Sequence, residues 1–191
     1  MRYKEHIDTK EIQELPAFSY GGEVIVIEEA KKIEGAVRYL AAHTCLGFDT
    51  ETRPAFHKGE THPVSLLQLA TPEKVYLFRL NKCGFPLTLR NLLAEKRIEK
   101  IGVGIRDDIR ALRKLGNFQP VSFIDLQEFV AHYGIGEKSF SKLMAIIFQV
   151  KISKRQRVTN WDAPVLTLSQ IKYAATDAWG ALRMYEELKN Q

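Results

Sequence analysis

Cysteine is scarce in this chain of 191 residues, which contains only Cys45 and Cys83. Two cysteines cannot form a disulfide framework, and no Cys/His cluster has the spacing of a zinc site. The five histidines are scattered, without the spacing of a metal site or a catalytic triad. We therefore expect no zinc centre and no histidine-based triad, and we interpret both cysteines as buried thiols of an intracellular protein.

Long apolar runs are absent as well. No stretch approaches the roughly 20 apolar residues that span a bilayer, and the charged segment Met1–His6 does not lead into an apolar signal core. Internal repeats, low-complexity tracts and linkers are also missing. We expect an intracellular, cytoplasmic protein with an N-terminal arm at residues 1–20 and a single domain at residues 21–191.

The sequence lacks the motifs of nucleotide cofactors. Gly102-Val-Gly104 is not followed by the rest of a dinucleotide-binding fingerprint, and there is no Walker loop. The 28 basic and 23 acidic residues give a net charge of +5. This excess is compatible with a polyanionic partner, but many metabolic enzymes are equally basic.

Hydrophobic periodicity predicts an α/β domain with a mixed sheet. Strands are expected at residues 24–27, 45–51, 64–70, 75–78, 100–105 and 121–124. Helices are expected at residues 28–43, 86–97, 107–115, 125–133, 139–149 and 168–188. The strands at 64–70 and 75–78 flank Thr71-Pro-Glu-Lys74, which indicates a hairpin. The stretch from Lys151 to Pro164 is basic and loop-like.

Two acidic residues end a predicted strand. Residues i and i+2 of a strand share a face, so the carboxylates of Asp49 and Glu51 project together. Such close carboxylates repel each other unless a proton or a cation neutralises them, and hard oxygen ligands suit Mg²⁺ or Mn²⁺. The alternative is a solvated strand end, because Asp-x-Glu also occurs by chance.

A tyrosine and an aspartate lie four residues apart in the last predicted helix. Tyr173 and Asp177 therefore share one helical face, which is the alanine-rich side expected to pack on the sheet. A carboxylate buried there needs a partner, which a metal would supply. An arginine or a helix N-terminus could also serve, and the pair would then be a core tyrosine and a salt-bridged aspartate.

Asp107 and Asp108 stand at a strand-to-helix junction. Acids at a helix start are favoured by the dipole and by capping, so one of the two is expected to be structural.

Taken together, these acids resemble a known pattern. Asp49-x-Glu51, Asp108 and Tyr173-x-x-x-Asp177 resemble the tyrosine-type "DEDD" 3′–5′ exonucleases, the family of ribonuclease D and the Werner syndrome exonuclease domain. The similarity extends over about residues 22–190 and includes these segments: Gly47-Phe-Asp-Thr-Glu51, Val64-Ser-Leu-Leu-Gln-Leu69, Gly102-Val-Gly-Ile105, Asn160-Trp161 and Tyr173-Ala-Ala-Thr-Asp-Ala178.

The resemblance implies a ribonuclease H-like fold, with a mixed five- to six-stranded sheet flanked by helices. It implies two divalent cations, Mg²⁺ or Mn²⁺, and release of 5′-mononucleotides from single-stranded or 3′-ended DNA or RNA. Asp49, Glu51, Asp108 and Asp177 would hold the cations and Tyr173 would orient the nucleophilic water. The family pattern selects Asp108 over Asp107. This chain has Arg110 where the Werner-type domain has tryptophan, which puts nucleic-acid contacts there in doubt.

Candidate nucleic-acid contacts follow from charge and from position. Lys151, Lys154, Arg155 and Arg157 form a basic segment that could bind phosphates, or simply a solvated loop. Thr50, Arg53 and Arg110 neighbour the motif acids, and Trp161 is expected to pack in the core. Two rival functions remain: a non-catalytic nucleic-acid-binding module of the same fold, and an endonuclease.

Overall fold

The computed structural model describes residues 3–57 and 59–191. Its strands are β1 (Ala17–Phe18), β2 (Glu23–Ile27), β3 (Cys45–Thr52), β4 (Val64–Ala70), β5 (Lys74–Arg79), β6 (Glu99–Gly102), β7 (Phe123–Asp125) and β8 (Lys151–Ile152). Its helices are α1 (Thr9–Glu14), α2 (Ile33–Leu40), α3 (Leu80–Cys83), α4 (Leu87–Ala94), α5 (Arg106–Leu115), α6 (Leu126–Phe129), α7 (Phe140–Phe148) and α8 (Leu168–Lys189). A 3₁₀ turn, Ala30–Lys32, precedes α2, and another, Val130–Tyr133, follows α6.

Six strands form the central sheet in the order β2-β5-β4-β3-β6-β7, while β1 and β8 form a separate parallel pair. Strand β4 is antiparallel to β3 and to β5, which confirms the predicted hairpin. The β2–β5, β3–β6 and β6–β7 pairs are parallel. The predicted α/β class and mixed sheet are therefore confirmed, with six strands.

The core lies on both faces of the sheet, and β4 is buried along its whole length. Its side chains alternate between the faces. Leu66 and Ala70 pack with the alanines of α8, whereas Leu67 and Leu69 pack with the apolar side chains of α2 and α4. Helix α8 thus covers one face of the central strands.

Helix α8 packs closely on β3 at Gly47. A Cβ atom at this position would lie 2.0 Å from the carbonyl oxygen of Ala178, so a larger residue requires the helix to move. The absence of a side chain at Gly47 therefore brings the helix backbone beside Ala178 into contact with β3.

The segment before residue 21 packs against the domain. Residues 1 and 2 of the predicted arm lie outside the described residues. Asp8 caps α1 by accepting a hydrogen bond from the Glu11 backbone at 2.8 Å, and the buried Tyr20 donates its N–H to Thr176 Oγ1 at 2.9 Å. The boundary between an arm at 1–20 and a domain at 21–191 stays a prediction.

Several elements differ in extent from the sequence prediction. The helix expected at 28–43 begins with a 3₁₀ turn at Ala30–Lys32 and continues as α2 to Leu40. Strand β6 ends at Gly102 because Gly104, at φ +73°, turns the chain. The Asp125 carboxylate holds this turn by accepting the N–H groups of Gly104 and Ile105 at 2.8 and 3.1 Å. The basic loop at 151–164 begins with β8.

Within residues 3–57 and 59–191, no helix combines the length and the apolar character that a membrane span requires.

Candidate active site

Asp49 and Glu51 lie on β3 and face α8. Leu46 and Phe48 pack in the core on the opposite side of the sheet, so strand alternation directs the two acids toward the helix. A shift in the β3–β4 register follows Glu51. Bulges of this kind bend a strand and are frequent beside active sites.

Tyr173 and Asp177 lie one turn apart on α8, on the face that packs on the sheet. The helix is well specified locally, because Thr167 and Gln170 form a capping box at its start. Asp177 is only 8% exposed and neighbours Ala178, the residue in contact with Gly47. The close helix–strand contact therefore brings Asp177 to the acids of β3.

Asp108 lies in the first turn of α5, and Asp107 beside it has a different environment. Thr50 Oγ1, on β3, donates a hydrogen bond to Asp108 Oδ1. The side chain of Asp107 is 86% exposed and pairs with Arg110 at 2.7 Å. The structure thus places Asp108 in the site and Asp107 on the surface, as the family pattern indicates.

Four carboxylates meet at this end of the sheet. Oxygens of Asp49, Glu51 and Asp177 lie within 4.8 Å of one another, and Asp108 lines the same cavity. Among residues 3–57 and 59–191, no ion pair with lysine, arginine or histidine neutralises any of the four. The salt-bridged aspartate considered from sequence is therefore not what the structure contains.

The electrostatics of the cluster favour protons or cations. Burial, and then the charges of Asp177 and Asp108, raise the pKa of Glu51 to about 9, with Arg157 opposing the shift. Burial raises the pKa of Asp177 to about 7. The pKa values of Asp49 and Asp108 are also raised, again chiefly by burial. Each shift means that the ionised carboxylate is disfavoured in this buried site unless positive charge is added, and repulsion from neighbouring site acids contributes at Asp49 and Glu51.

Tyr173 is held against the acids in its neutral form. Burial and the charges of Asp177, Glu51 and Asp49 raise the pKa of its phenol far above the usual value, and the phenol hydrogen-bonds to Asp177. A phenol with this pKa donates a hydrogen bond and cannot act as a base near neutral pH. Behind it lies Trp161, fully buried with its ring centroid 6.2 Å from that of Tyr173, which confirms the predicted packing role.

Arg79 anchors the segment that carries Trp161. Its side chain is fully buried at the end of β5, and its guanidinium donates to the carbonyl oxygens of Pro164 at 3.1 Å, Trp161 at 3.5 Å and Ala163. It also pairs with Glu28 at 3.0 Å. The guanidinium fork thus fixes the chain behind Tyr173 to the sheet.

A cavity of about 440 Å³ opens over the carboxylates. Its size is within the range of small-ligand sites. Its lining comprises Phe48, Asp49, Thr50, Glu51, Val103, Asp108, Gln127, Lys138, Ser139, Phe140, Ser141, Ile152, Ser153, Lys154, Arg157, Tyr173 and Asp177. All five motif residues predicted from sequence therefore border one space.

The predicted basic contacts divide into two groups. Lys154 and Arg157 line the cavity, whereas Arg53, Arg110 and Arg155 are exposed outside its lining. Their contacts with nucleic acid stay predictions.

Sequence reasoning missed one wall of the cavity. Gln127, Lys138, Ser139 and Ser141 lie between motifs, on α6 and at the start of α7. The available signal was Ser139, the first residue of the helix predicted at 139–149 and a residue type that favours the N-cap position.

A family model described as 3′–5′ exonuclease matches residues 24–191. The mouse bifunctional 3′–5′ exonuclease/ATP-dependent helicase WRN is 32% identical over 187 residues, which cover 92% of this chain and 13% of that protein. Human exonuclease 3′–5′ domain-containing protein 2 is 33% identical over 181 residues, covering 86% of this chain and 29% of that protein. The chain thus spans less than a third of the length of either relative.

A solved structure of similar fold is the EXO domain of Nibbler from Aedes aegypti. It has a TM-score of 0.83 at 21% identity, and the match covers 91% of this chain and 92% of that one. At this identity the similarity concerns the fold, and it confirms the expected ribonuclease H-like architecture.

Proposed function

This chain belongs to the 3′–5′ exonuclease family, and we propose that it hydrolyses phosphodiester bonds at the 3′ end of a nucleic acid strand and releases 5′-mononucleotides. The observation that carries the proposal is the set of four carboxylates, which border one cavity without a cationic side chain paired to any of them in the described part of the chain. The polarity of degradation is taken from the family.

The donor set fits divalent cations. All the candidate ligands are carboxylate oxygens, which Mg²⁺ and Mn²⁺ prefer, and burial raises their pKa values, so that added positive charge would stabilise their ionised forms. Asp49, Glu51 and Asp177 would hold one cation, and Asp49 with Asp108 would serve a second. Two such cations, when bound, supply an ionised water and stabilise charge on the leaving 3′ oxygen.

The chain's own side chains supply orientation. Tyr173, kept protonated by its buried and negative surroundings, would orient the nucleophilic water by hydrogen bonding. Thr50 fixes the rotamer of Asp108 through the bond to its Oδ1, so that the carboxylate is aimed before substrate arrives. Lys154 and Arg157, at the rim, would bind the phosphates of the incoming strand.

The direct test uses 5′-labelled DNA and RNA oligonucleotides, single- and double-stranded, with Mg²⁺, with Mn²⁺ or with EDTA. We expect a ladder that shortens from the 3′ end with either cation, no products in EDTA, and no cleavage of a circular single strand. Equal cleavage of circular and linear strands would show an endonuclease. Binding without products would show a non-catalytic module.

Adjacent acids provide a matched control for the site. Asp108→Asn should abolish nucleotide release, whereas Asp107→Asn, at an exposed position, should retain it. Asp49→Asn should also be inactive while it keeps the fold, as judged by circular dichroism. Digestion at the wild-type rate by Asp49→Asn would show that the assigned site is wrong.

A further inference from the structure

The start of α7 forms part of the cavity wall and presents hydrogen-bond donors to it. Lys138, Ser139, Phe140 and Ser141 are consecutive residues that all line the cavity. Ser139 is the N-cap of the helix, Lys138 precedes it, and Phe140 and Ser141 are the first two helical residues. The first N–H groups of a helix have no partner within the helix and carry partial positive charge.

These donors are not satisfied by the usual caps. The hydroxyl of Ser139, at the N-cap, makes no capping hydrogen bond, and the first turn of α7 contains no acidic residue. Glu137, the nearest acid in sequence, does not line the cavity and pairs with Lys142 at 2.8 Å. The N-terminus of α7 therefore lacks a negative partner among the side chains that the structure describes.

An independent observation comes from Ser141. This residue is 6% exposed, yet it lines the cavity, and its hydroxyl makes no hydrogen bond to any other residue within 3–57 and 59–191. Its oxygen is not among the fully enclosed polar atoms of the described residues, so the hydroxyl is accessible from the cavity and free to donate a hydrogen bond to a molecule bound there. Lys138 adds a positive charge at the same wall, and its ammonium group is held in place by the carbonyl oxygen of Gln127.

We propose that the N-terminus of α7 is a phosphate subsite of the cavity, in which the Phe140 and Ser141 N–H groups, the Ser141 hydroxyl and the Lys138 ammonium bind one phosphate of the substrate strand. The proposal rests on the proposed function for the identity of the ligand. Helix N-termini bind phosphate through this combination of free N–H groups and dipole. The subsite lies in the same cavity as the carboxylates, so it would hold the strand across them.

The test is a double-mutant cycle in which the protein and the oligonucleotide are each modified. It is measured by equilibrium binding, because binding does not require cleavage. A 5′-fluorescein oligonucleotide is titrated in Ca²⁺, with its integrity checked on a gel, against the wild type, Ser141→Ala and the control Ser169→Ala. Ser169 is exposed on α8 and lies outside the cavity. Each of the last three phosphates is replaced in turn by an uncharged methylphosphonate.

Loss of a hydrogen bond to a charged phosphate should weaken binding by Ser141→Ala about ten-fold. At one linkage, the methylphosphonate should weaken the wild type similarly and should weaken Ser141→Ala no further. Lys138→Gln should reduce the slope of log Kd against log salt by about one ion, unlike the control Lys172→Gln on the exposed face of α8. Thermal melts confirm that each variant is folded.

Two results would overturn the subsite. One is wild-type affinity in folded Ser141→Ala, and the other is independent effects of the variant and of the methylphosphonate at every linkage. If the chain releases no nucleotides but the effects of Ser141→Ala and of one methylphosphonate are coupled, the subsite is supported and the proposed activity is refuted. If nucleotide release persists but no coupling is found, the activity stands and the subsite falls.

Discussion

Glu51→Gln should stabilise the cation-free protein at alkaline pH. The pKa of Glu51 is raised from 4.5 to about 9 in the folded state, chiefly by burial. Between these two values the folded protein retains a proton that the unfolded chain has released, so the free energy of unfolding falls as pH rises through this window and levels off above it. Glutamine cannot ionise, so the variant lacks this decline.

The size of this change in the free energy of unfolding follows from the shift in the pKa of Glu51. Each pKa unit corresponds to about 1.4 kcal/mol, which gives an upper bound of about 4 to 5 kcal/mol near pH 8. Contact with cavity water reduces this figure, and we expect a gain of roughly 2 to 4 kcal/mol for the variant in EDTA. Near pH 5 the two proteins should be almost equally stable, because the buried Glu51 is protonated there and resembles glutamine.

Divalent cations should change the stability of Glu51→Gln relative to that of the wild type. Saturating Mg²⁺ at about 100 times its Kd adds about 2.7 kcal/mol to the wild type, whereas a variant without the Glu51 ligand gains much less. The assay is urea denaturation followed by circular dichroism at both pH values, in EDTA and in Mg²⁺. Glu34→Gln, at an exposed position of α2, is the control and should match the wild type throughout. Parallel pH profiles of Glu51→Gln and wild type in EDTA would refute the reasoning.

Three further predictions concern neighbouring groups. Gly47→Ala should lower the free energy of unfolding by about 1 to 3 kcal/mol in urea denaturation, because the added methyl meets the Ala178 carbonyl. Tyr173→Phe should slow single-turnover hydrolysis on the order of ten- to a hundred-fold with unchanged cation affinity by calorimetry, since the orienting donor is lost. Thr50→Val removes the hydrogen bond that opposes the raised pKa of Asp108, so the rising limb of the pH–rate profile should move to higher pH. Unchanged stability, turnover or profile, respectively, would contradict these expectations.

The sequence predicted those features that depend on local periodicity. The spacing of Asp49 and Glu51 on a strand, and of Tyr173 and Asp177 on a helix, determines which faces they share before any tertiary contact is known. The choice between Asp107 and Asp108 needed the family pattern, since the dipole of a helix start favours both acids alike.

Apart from the meeting of the motif acids, which the family resemblance implied, features that depend on contacts distant in sequence were not predicted. Strand β8 has two residues and exists through its pairing with β1, more than 130 positions earlier in the chain. The cavity wall at Lys138 and Ser141 depends on how the chain from α6 to α7 packs over the sheet. Short strands and packed loops leave little periodic signal in the sequence, because their partners are remote.

The contact of α8 with β3 has a consequence for the stage of folding at which the protein becomes able to bind cations. Asp49 and Asp177 belong to segments separated by most of the chain, and they meet only where the helix backbone rests on Gly47. Docking of segments so distant in sequence requires closure of a long loop. The entropic cost of this closure must be met before the contacts stabilise the chain, so such docking occurs late in folding. A partly folded or nascent chain would thus have its acids apart, and cation binding would serve as a reporter of completed assembly.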